Sequence, residues 1–484
     1  MSTNDNNNQR RAPSLWVWLA AITALMSAMS MGATLGWSAP GLPSLSKSGS
    51  EPQLTDENLD TKTWIGSSMT LGALVGGLLG GPLLQWLGVK KVIIGLGAPF
   101  IVGWVLICAA KGFALIIIGR VLTGFAAGIS CGVAPTYCVH ISTPKIRGLL
   151  GTGFQAFVNI GILYMSLLGL AVSWRWLAII GLIPSVLMSI GMIFMPDSPN
   201  WLMVKHGRHG SQVADALRRL RSADSDIDTE LKELEDMADK AGQSGSFSIG
   251  QLKRPDIYMP FIICNFLMFF QQFSGINAVL FYLNDIFKDA GSAMDPMVST
   301  CIVNASMVAA VIGGALIIDR LGRRVLLLAS GAGHTVTLAI MGYYYYSDNK
   351  SLSWLPIVCL IFFVVSFNIG YGPIPWMIVA EITPSYAMGP VSACGTAFNW
   401  LCAFIVTKQF DAIQEAMQRY GAFWLFAGIS AASIVFVVMF VPETKGKSVD
   451  EMQRIFLKTK SPADHQSDSP NKYSVNNNKD VINI

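Results

Sequence analysis

Long apolar stretches separated by short polar loops run along almost the whole chain. Twelve of these stretches are about 20 residues long, which is the length an α-helix needs to cross the hydrocarbon core of a bilayer. The last two have their cores at 391–407 and 422–441. The pattern therefore predicts an all-α membrane protein with twelve transmembrane helices.

The polar loops repeat. Three loop motifs of the first half recur in the same order in the second half, nearly half a chain length away. The matched pairs are Gln85–Lys91 with Asp319–Arg324, His140–Pro144 with Glu381–Pro384, and Pro196–Pro199 with Pro442–Lys445. This repeat predicts two pseudo-symmetric six-helix bundles, and such paired bundles place a small-molecule site between them.

The same pattern divides the chain into five parts. We expect a tail at 1–14, a six-helix bundle at 15–195, a linker with short helices at 196–257, a second six-helix bundle at 258–441 and a tail at 442–484. In the linker, Leu231, Leu234 and Met237 share one face of a helix. They predict a short amphipathic helix against the cytoplasmic surface, and a plain linker helix is favoured over a regulatory docking site.

Charge adds an orientation. Only 13% of residues are charged, against about a quarter in soluble domains. About three quarters of the 34 lysine and arginine residues fall in loops on the side that holds both termini. The positive-inside bias then predicts a multi-pass protein of the cell membrane with both termini in the cytoplasm. Because no aromatic residues interleave with the basic ones, no nucleic-acid partner is expected.

Several kinds of chemistry find no support in the sequence. It contains no phosphate loop, zinc-ligand spacing or nucleophile elbow, so we expect neither an enzyme nor a catalytic residue, metal or cofactor. The eight cysteines fall in apolar stretches and are interpreted as buried thiols. Asn349-Lys350-Ser351 is a glycosylation sequon in a predicted outside loop.

The polar side chains inside the spans are mostly neutral amides and indoles. A buried amide must find partners, and it can both donate to and accept from a sugar hydroxyl. Each amide alone is more simply interpreted as a link between helices, worth about 0.6 kcal/mol. As a cluster they favour a polyol site, whose candidate residues are Gln155, Gln271, Gln272, Asn277, Asn304, Trp376 and Asn399.

Two further features predict moving parts. Gly372–Trp376 is rich in helix breakers and predicts a hinge beside the site. Charged groups at the cytoplasmic helix ends can form ion pairs that hold the inner side shut and must break when it opens. The candidate gating residues are Asp319, Arg323, Glu381 and Glu443 in the second half, and Arg147 and Asp197 in the first.

These motifs together resemble the sugar porter family of the major facilitator superfamily. The most specific pieces are Gly119-Arg120, Pro135–Gly148, Pro196–Pro199, Gln271–Asn277, Asp319–Arg324, Gly372–Trp376 and Pro442–Gly446. Phe398–Trp400 and Phe404–Lys408 further resemble the insect facilitated trehalose transporter branch. The resemblance implies alternating access and passage of a hexose or disaccharide. It also implies sugar contacts at Gln155, Gln271, Gln272, Asn277, Trp376 and Asn399.

The chain departs from the family at its inner gate. Gln85 and Val89 replace charged positions, His140 stands at a glutamate, and Met388 stands at an arginine. Met307 also replaces a family asparagine, one turn from Asn304. If each lost pair supplied up to about 1 kcal/mol, the outward-open state would be less favoured here than in relatives.

We therefore expect facilitative uniport of a sugar, a hexose or a trehalose-like disaccharide, by a monomer embedded in membrane lipid. Proton coupling is the less favoured alternative, since the first span, 15–37, contains no acidic residue. A transport-impaired sugar sensor is the other alternative, motivated by the lost gate charges.

Overall fold

The computed structural model describes residues 13–55, 59–207, 211–222, 225–243, 249–291, 294–347 and 350–458. Within these ranges the regular structure is helical apart from one β-bridge, between Pro13 and Arg221. The helices are long because each apolar run has the length of a bilayer, and in lipid a helix satisfies its backbone N–H and C=O groups within the segment.

Seven helices make up the first half, and six of them are long enough to cross a bilayer. In order they are α1 Leu15–Gly36, α2 Ser38–Leu45, α3 Leu59–Leu87, α4 Val89–Cys108, α5 Phe113–Ile141, α6 Arg147–Gly169 and α7 Trp174–Phe194. The short α2 continues from the end of α1.

Short helices follow in the linker. They are α8 Pro199–His206, α9 Ser211–Leu220 and α10 Ile227–Gln243, and a 3₁₀ turn at Ile249–Lys253 precedes the second half. Leu231 and Leu234 pack into a small apolar cluster with α8 and α9. Met237, expected on the same face, is instead 60% exposed, because the packed face of α10 continues from Leu234 to Ala238 and not to Met237.

The second half is more broken than the first. Its helices are α11 Pro255–Phe273, α12 Ile276–Phe281, α13 Leu283–Asp289, α14 Pro296–Leu321, α15 Arg323–Ser347, α16 Leu355–Ile369, α17 Ile374–Ile382 and α18 Ser385–Phe440, and α19 Val449–Lys458 follows. The pairs α11–α12 and α16–α17 each form one crossing that is interrupted midway.

The helix α18 contains two crossings. It runs for 56 residues, far more than the roughly 20 that one crossing needs, and at Gln418 its backbone leaves the helical region with φ 59° and ψ 168°. Counted as two helices, it brings the described crossings to twelve. The prediction of twelve transmembrane helices is confirmed, although the eleventh continues well beyond the expected end at 407.

Glycines permit the tightest packing within the first half. A Cβ atom at Gly72 would lie 2.0 Å from the carbonyl oxygen of Val121, and one at Gly124 would lie 1.9 Å from that of Met69. The backbones of α3 and α5 therefore touch directly, as small residues allow in lipid. A larger side chain at either position would force the two helices apart.

Two seams join the halves. In one, α3 packs against α18, and in the other, α6 packs against α14. These are equivalent positions in the repeat, because interchanging the halves converts one seam into the other. We call the end of the array where α1 begins the tail side, and the opposite end, where α3 begins and α13 lies, the far side.

Candidate functional site

The first helix break places three amides close together. Gly275 separates α11 from α12 and has φ +86°, a conformation that favours glycine. A Cβ there would also meet the Phe426 ring at 2.8 Å. The break puts Gln271 and Gln272 at the end of one helix and Asn277 at the start of the next, and all three are buried.

The second break supplies backbone acceptors to the same place. Between α16 and α17 the chain is not helical, and the carbonyl oxygens of Tyr371 and Gly372 are free to accept hydrogen bonds. The Gln271 Nε2 atom donates to both, at 2.7 Å and 3.1 Å. The two broken helices are therefore tied together by a single amide side chain.

The buried amides form a continuous hydrogen-bonded chain. Asn277 Nδ2 donates to Gln272 Oε1 at 2.6 Å, and Gln272 Nε2 donates to Asn399 Oδ1 at 3.0 Å. Asn399 Nδ2 in turn donates to Gln271 Oε1 at 2.6 Å. This chain spans α11, α12 and α18 and fixes the orientation of each amide, leaving Asn277 Oδ1 without a partner among the described residues.

A central cavity opens beside this amide chain, between the two halves. Its volume is about 70 Å³. The polar side chains and indoles that line it are Gln155, Asn159, Gln271, Gln272, Asn277, Trp376, Asn399 and Trp400. The remaining lining is apolar, so none of the described side chains that line the cavity is ionisable.

Six of the seven candidate substrate residues thus come together. The exception is Asn304, which is buried in α14 and donates to Ser166 Oγ at 2.8 Å instead of lining the cavity. Met307, one turn later, takes the lining position.

One lining amide was missed by the sequence analysis. Asn159 is fully buried and donates through Nδ2 to Asn368 Oδ1 at 2.6 Å, across from the first half to the second. Gln155, one turn earlier on α6, donates to Asn159 Oδ1 at 3.1 Å. The spacing of four residues between Gln155 and Asn159 was the available signal, because such a pair shares one helix face.

The tail-side charges of the second half form a compact cluster. Arg323 pairs with Glu381 at 3.0 Å, and Thr444 Oγ1 donates to the same carboxylate at 2.5 Å. Glu443 accepts from the backbone N–H groups of Arg323 and Arg324 at the start of α15, at 3.0 Å and 3.1 Å. These contacts lie within the second half. The side chain of Asp319, a further gating candidate, lies outside the described residues.

Electrostatics at Glu443 favour the ionised form. Partial burial alone would raise the pKa of this carboxyl, but the N–H groups of Lys445, Arg323 and Arg324 donate to it. Their combined effect is larger and lowers the pKa below its ordinary value. The carboxylate thus anchors the loop before α15 to the segment after α18.

The first-half gating candidates form no ion pair with another described residue. Arg147 Nε lies 3.5 Å from Ser142 Oγ, and Asp197 accepts from the backbone N–H of Ser198 at 2.7 Å. His140, at the position where the family resemblance implies a glutamate, shares a 2.8 Å hydrogen bond with Ser198 Oγ. A neutral hydrogen bond within the first half therefore occupies the place of a gate charge.

The neutral replacements border a groove. It has a volume of about 490 Å³, and its mainly apolar lining includes Gln85, Trp86, Val89, His140 and Trp201. Met388, on the second half, is half-buried. The glycosylation candidate Asn349 lies outside the described residues.

Cross-half ion pairs occur on the far side, which the repeated loop motifs of the sequence did not indicate. Lys62 of α3 pairs with Asp285 of α13 at 2.7 Å. Lys408 of α18 pairs with Asp60 of α3 and donates to Thr63 Oγ1 at 2.7 Å. Among the described side chains, these are the ion pairs that link one half to the other, and they close the far side.

A buried arginine reinforces the far side of the first half. Arg120 is fully buried and donates to the carbonyl oxygens of Thr34 and Ile65 and to Ser38 Oγ. It forms no ion pair within the part of the chain that the structure describes. Its hydrogen bonds join α1, α2 and α3, so it holds those helix ends together.

Metal binding finds no candidate among the described residues, since no group of three or more histidine, cysteine, aspartate or glutamate side chains converges there. The eight cysteines are free thiols. Five are buried, Cys108 and Cys131 are half-buried, and Cys394 is exposed, so the interpretation as buried thiols is wrong for Cys394.

Comparisons with known proteins agree with this geometry. A family model described as Sugar (and other) transporter matches residues 20–456. The facilitated trehalose transporter Tret1 of Culex quinquefasciatus is 38% identical over 446 residues, which cover 90% of the chain and 85% of that protein. The Tret1-2 homolog of Drosophila sechellia is 39% identical over 444 residues, 90% of each. Some relatives are longer: the chain spans 52% of trehalose transporter 1 of Drosophila melanogaster, at 37% identity.

Solved structures show the same fold. The xylose transporter XylE from E. coli, in a partially occluded inward-open conformation, matches with a TM-score of 0.77 at 21% identity, over 90% of the chain and 100% of that structure. XylE bound to 6-bromo-6-deoxy-D-glucose, described as a major facilitator superfamily proton:xylose symporter, also gives 0.77, at 22% identity over 91% of the chain and 99% of that structure. The predicted pair of six-helix bundles is confirmed at the level of the fold.

Proposed function

Because the chain belongs to the sugar transporter family, we propose that it carries a neutral sugar passively across the plasma membrane by alternating access. The observation that carries this proposal is the central cavity at the seam of the halves. It is lined by amides, indoles and apolar groups, and none of the described lining side chains can change its charge.

This lining suits a polyol. Each sugar hydroxyl needs both a donor and an acceptor, and an amide supplies both. Gln155, Gln271, Gln272, Asn277 and Asn399 are the proposed hydroxyl contacts, and the Trp376 indole provides a flat wall for the ring. A hexose or a trehalose-like disaccharide is the substrate class, supported by the names of the insect relatives.

Passive transport is favoured over proton coupling. A proton-coupled carrier needs an ionisable group near its site, and α1 contains no acidic residue. Arg120 is a fully buried charged side chain in the first half, and its guanidinium group donates to neutral oxygens. Neither the lining nor Arg120 offers a carboxylate that would bind a proton together with the sugar.

The proposed motion rocks two bundles, 15–195 and 258–441, about the central cavity. The tail side faces the cytoplasm, with both termini and the linker there, as the excess of basic residues indicates. In this conformation Lys62–Asp285 and Lys408–Asp60 hold the far side closed. The Arg323–Glu381 ion pair and the backbone hydrogen bonds to Glu443 lie within the second half. Opening outward requires the far-side pairs to break while tail-side groups of the two bundles approach each other.

Transport by the purified protein tests this function. The protein is reconstituted into liposomes, and uptake of radiolabelled trehalose, glucose, fructose and xylose is measured with and without an imposed pH gradient. We expect uptake of at least one sugar down its gradient, saturable and unchanged by the pH gradient. Accumulation that requires the pH gradient would show a symporter, and sugar binding without uptake would show a sensor.

Site variants connect that activity to the cavity. Gln155→Leu and Trp376→Leu each change a lining side chain, and we expect about a tenfold loss of uptake at low sugar concentration from each. Gln453→Leu is the matched control, because Gln453 donates to the Ile382 carbonyl oxygen at the tail side, away from the cavity. Equal losses in all three variants would contradict the proposed site.

A further inference from the structure

One hydrogen bond joins the halves at the wall of the central cavity. Asn159 Nδ2, on α6, lies 2.6 Å from Asn368 Oδ1, on α16, and 3.2 Å from the carbonyl oxygen of Met307, on α14. Asn159 and Asn368 are both at most 1% exposed. The contact therefore holds the first half against two helices of the second, at the depth of the proposed sugar site.

The geometry of this bond is fixed from both ends. Asn368 Nδ2 donates to the Val364 carbonyl oxygen of its own helix at 2.8 Å, which turns its Oδ1 towards α6. Gln155 Nε2 donates to Asn159 Oδ1 at 3.1 Å, which turns Asn159 Nδ2 towards α16. The two amides are thus oriented to meet each other.

Only one of the two amides borders the cavity. Asn159 is part of its lining and Asn368 is not. The cavity, at about 70 Å³, is also far smaller than the roughly 300 Å³ at which ordinary small-molecule pockets begin. A sugar can therefore enter only if the lining moves apart, and the Asn159–Asn368 bond opposes that movement directly.

We propose that Asn159 is a substrate-released tie: a sugar hydroxyl replaces Asn368 as the partner of the Asn159 amide, and the halves are then free to rock. This inference rests on the proposed sugar transport. In the empty protein, breaking the bond leaves the Asn368 Oδ1 acceptor and one N–H of the Asn159 amide without a partner in a buried place, which is costly. In the loaded protein, the sugar supplies the missing partner to Asn159, so the same motion costs less.

A kinetic signature follows. The step in which the empty carrier reorients is slowed by the tie, whereas the loaded carrier reorients without it. When labelled sugar exchanges for unlabelled sugar, the carrier reorients only with sugar bound. Net flux into a sugar-free solution also requires the empty carrier to reorient. Leaving a buried amide group without a partner costs enough free energy to change a rate or a population by about tenfold. We therefore expect exchange to exceed net flux by about five- to tenfold.

The test compares these two fluxes in proteoliposomes with radiolabelled trehalose and glucose as probes. Asn159→Leu removes the tie while keeping most of the side-chain volume. We expect it to accelerate net flux, to bring the ratio of exchange to net flux close to one, and to raise the half-saturating sugar concentration about threefold or more. Asn368→Leu removes the same bond from the other side, and we expect the same change in the flux ratio.

The double variant and a matched control distinguish loss of the Asn159–Asn368 hydrogen bond from a general weakening of the contacts between the halves. Asn159→Leu combined with Asn368→Leu should change the ratio no further than either alone, because both break one bond. Ser166→Ala breaks the Asn304–Ser166 hydrogen bond between the same halves but away from the cavity lining. This bond is unaffected by sugar, so Ser166→Ala should leave the ratio at the wild-type value.

Two results overturn the inference while leaving sugar transport intact: a wild-type ratio of one, or an unchanged ratio in Asn159→Leu and Asn368→Leu. An equal fall of the ratio in Ser166→Ala also overturns it. Because the wild-type ratio is itself diagnostic, the test does not depend on the variants folding. Absence of uptake for every sugar in the panel would instead overturn the proposed function, and this inference with it.

Discussion

At the scale of single residues, Asn399 is the centre of the amide chain. It donates to Gln271 and accepts from Gln272, so it joins two amides that both line the cavity. Its own backbone belongs to α18, while its partners belong to α11. One side chain therefore sets the orientation of two neighbouring polar groups and the distance between two helices.

Replacing this residue should damage both stability and binding. We expect Asn399→Leu to leave the facing amide groups of Gln271 and Gln272 unpartnered and to lower the free energy of unfolding by about 1–3 kcal/mol. Thermal melting of the purified protein, with and without sugar, measures the effect, and sugar should stabilise the variant less than the wild type. Asn265→Leu is the control, because Asn265 bonds to the Phe261 carbonyl oxygen within its own helix. Comparable losses in both variants would contradict a special role for Asn399.

The sequence predicted which residue types build the site, but not every member. Amides within apolar spans are unusual enough to be noticed singly, and six candidates meet in the cavity. Helix position decides the rest: Asn304 faces Ser166 on α6, while Met307, with no polar group to signal a site, faces the cavity. Asn304 and Met307 are only three residues apart on α14. Which of them faces the cavity depends on the rotation of α14 about its axis, and packing sets this rotation more precisely than the sequence pattern predicts it.

A second residue-scale prediction concerns pH. The pKa of Glu443 is lowered in the folded protein, so its contribution to stability is present above the ordinary carboxyl pKa of 4.5 and is lost as the pH falls below that value. At pH 7 we expect Glu443→Gln to be less stable by about 1 kcal/mol. The difference in melting temperature between wild type and variant should shrink as the pH is lowered through 4.5.

Glu415→Gln serves as the control for this pH series. Glu415 is exposed and makes no hydrogen bond to another described residue. Its substitution should leave the melting temperature close to wild type at pH 7. A difference between wild type and Glu443→Gln that stays constant from pH 7 to well below pH 4.5, down to the acid limit of the folded protein, would refute the assigned role.

At the scale of helices, the breaks are the informative features. Two of the breaks occur at glycine or proline residues. One is at Gly275, between α11 and α12, and the other is the segment from Gly370 to Pro373, between α16 and α17. The sequence predicted the second break because breakers cluster there. The break inside α18 falls at Gln418, with neither glycine nor proline at the position, so a breaker-based analysis could not locate it.

The strain at Gln418 leads to a prediction. With φ 59° and ψ 168°, its backbone lies in a region that is essentially restricted to glycine and costs about 1–3 kcal/mol for other residues. Gln418 is exposed, so its side chain contributes little packing. We expect Gln418→Gly to raise the free energy of unfolding by about 1 kcal/mol, measured as a higher melting temperature.

Ala416→Gly is the matched control, two residues away and also exposed but within the regular part of α18. Glycine costs up to about 1 kcal/mol relative to alanine where the backbone is helical, so this substitution should lower the melting temperature. If both glycine substitutions destabilise the protein, Gln418 does not adopt the strained conformation.

At the scale of the whole molecule, the distribution of charge defines the conformation. The sequence placed the gate on the tail side, where repeated loop motifs concentrate arginine and glutamate. Repeats identify which groups are equivalent but not which of them face each other across the seam. In the structure, Arg323 and Glu381 pair within one half, and the halves are linked by ion pairs on the far side, at Lys62 and Lys408.

Those far-side pairs should bias the transporter towards the far-closed state. Each pair is partly exposed and contributes up to about 1 kcal/mol, so removing both should favour far-side opening by up to about thirtyfold. Lys62→Ala combined with Lys408→Ala is the test. The readout is the rate at which a membrane-impermeant thiol reagent, added on the far side, labels a Leu280→Cys variant whose native cysteines have been replaced. Leu280 lines the central cavity, so its labelling reports far-side opening.

A charge exchange distinguishes the ion pair from simple loss of side chains. Lys62→Asp alone places a like charge opposite Asp285, so it should accelerate labelling more than Lys62→Ala does. Lys62→Asp combined with Asp285→Lys restores an attractive pair, so it should return the labelling rate towards that of the wild type. Higher salt screens these partly exposed charges, so it should accelerate labelling of the wild-type pair and slow it in the Lys62→Asp variant. Identical labelling rates in the wild-type pair, the single reversal and the exchanged pair would show that the far side is closed by packing instead of by charge.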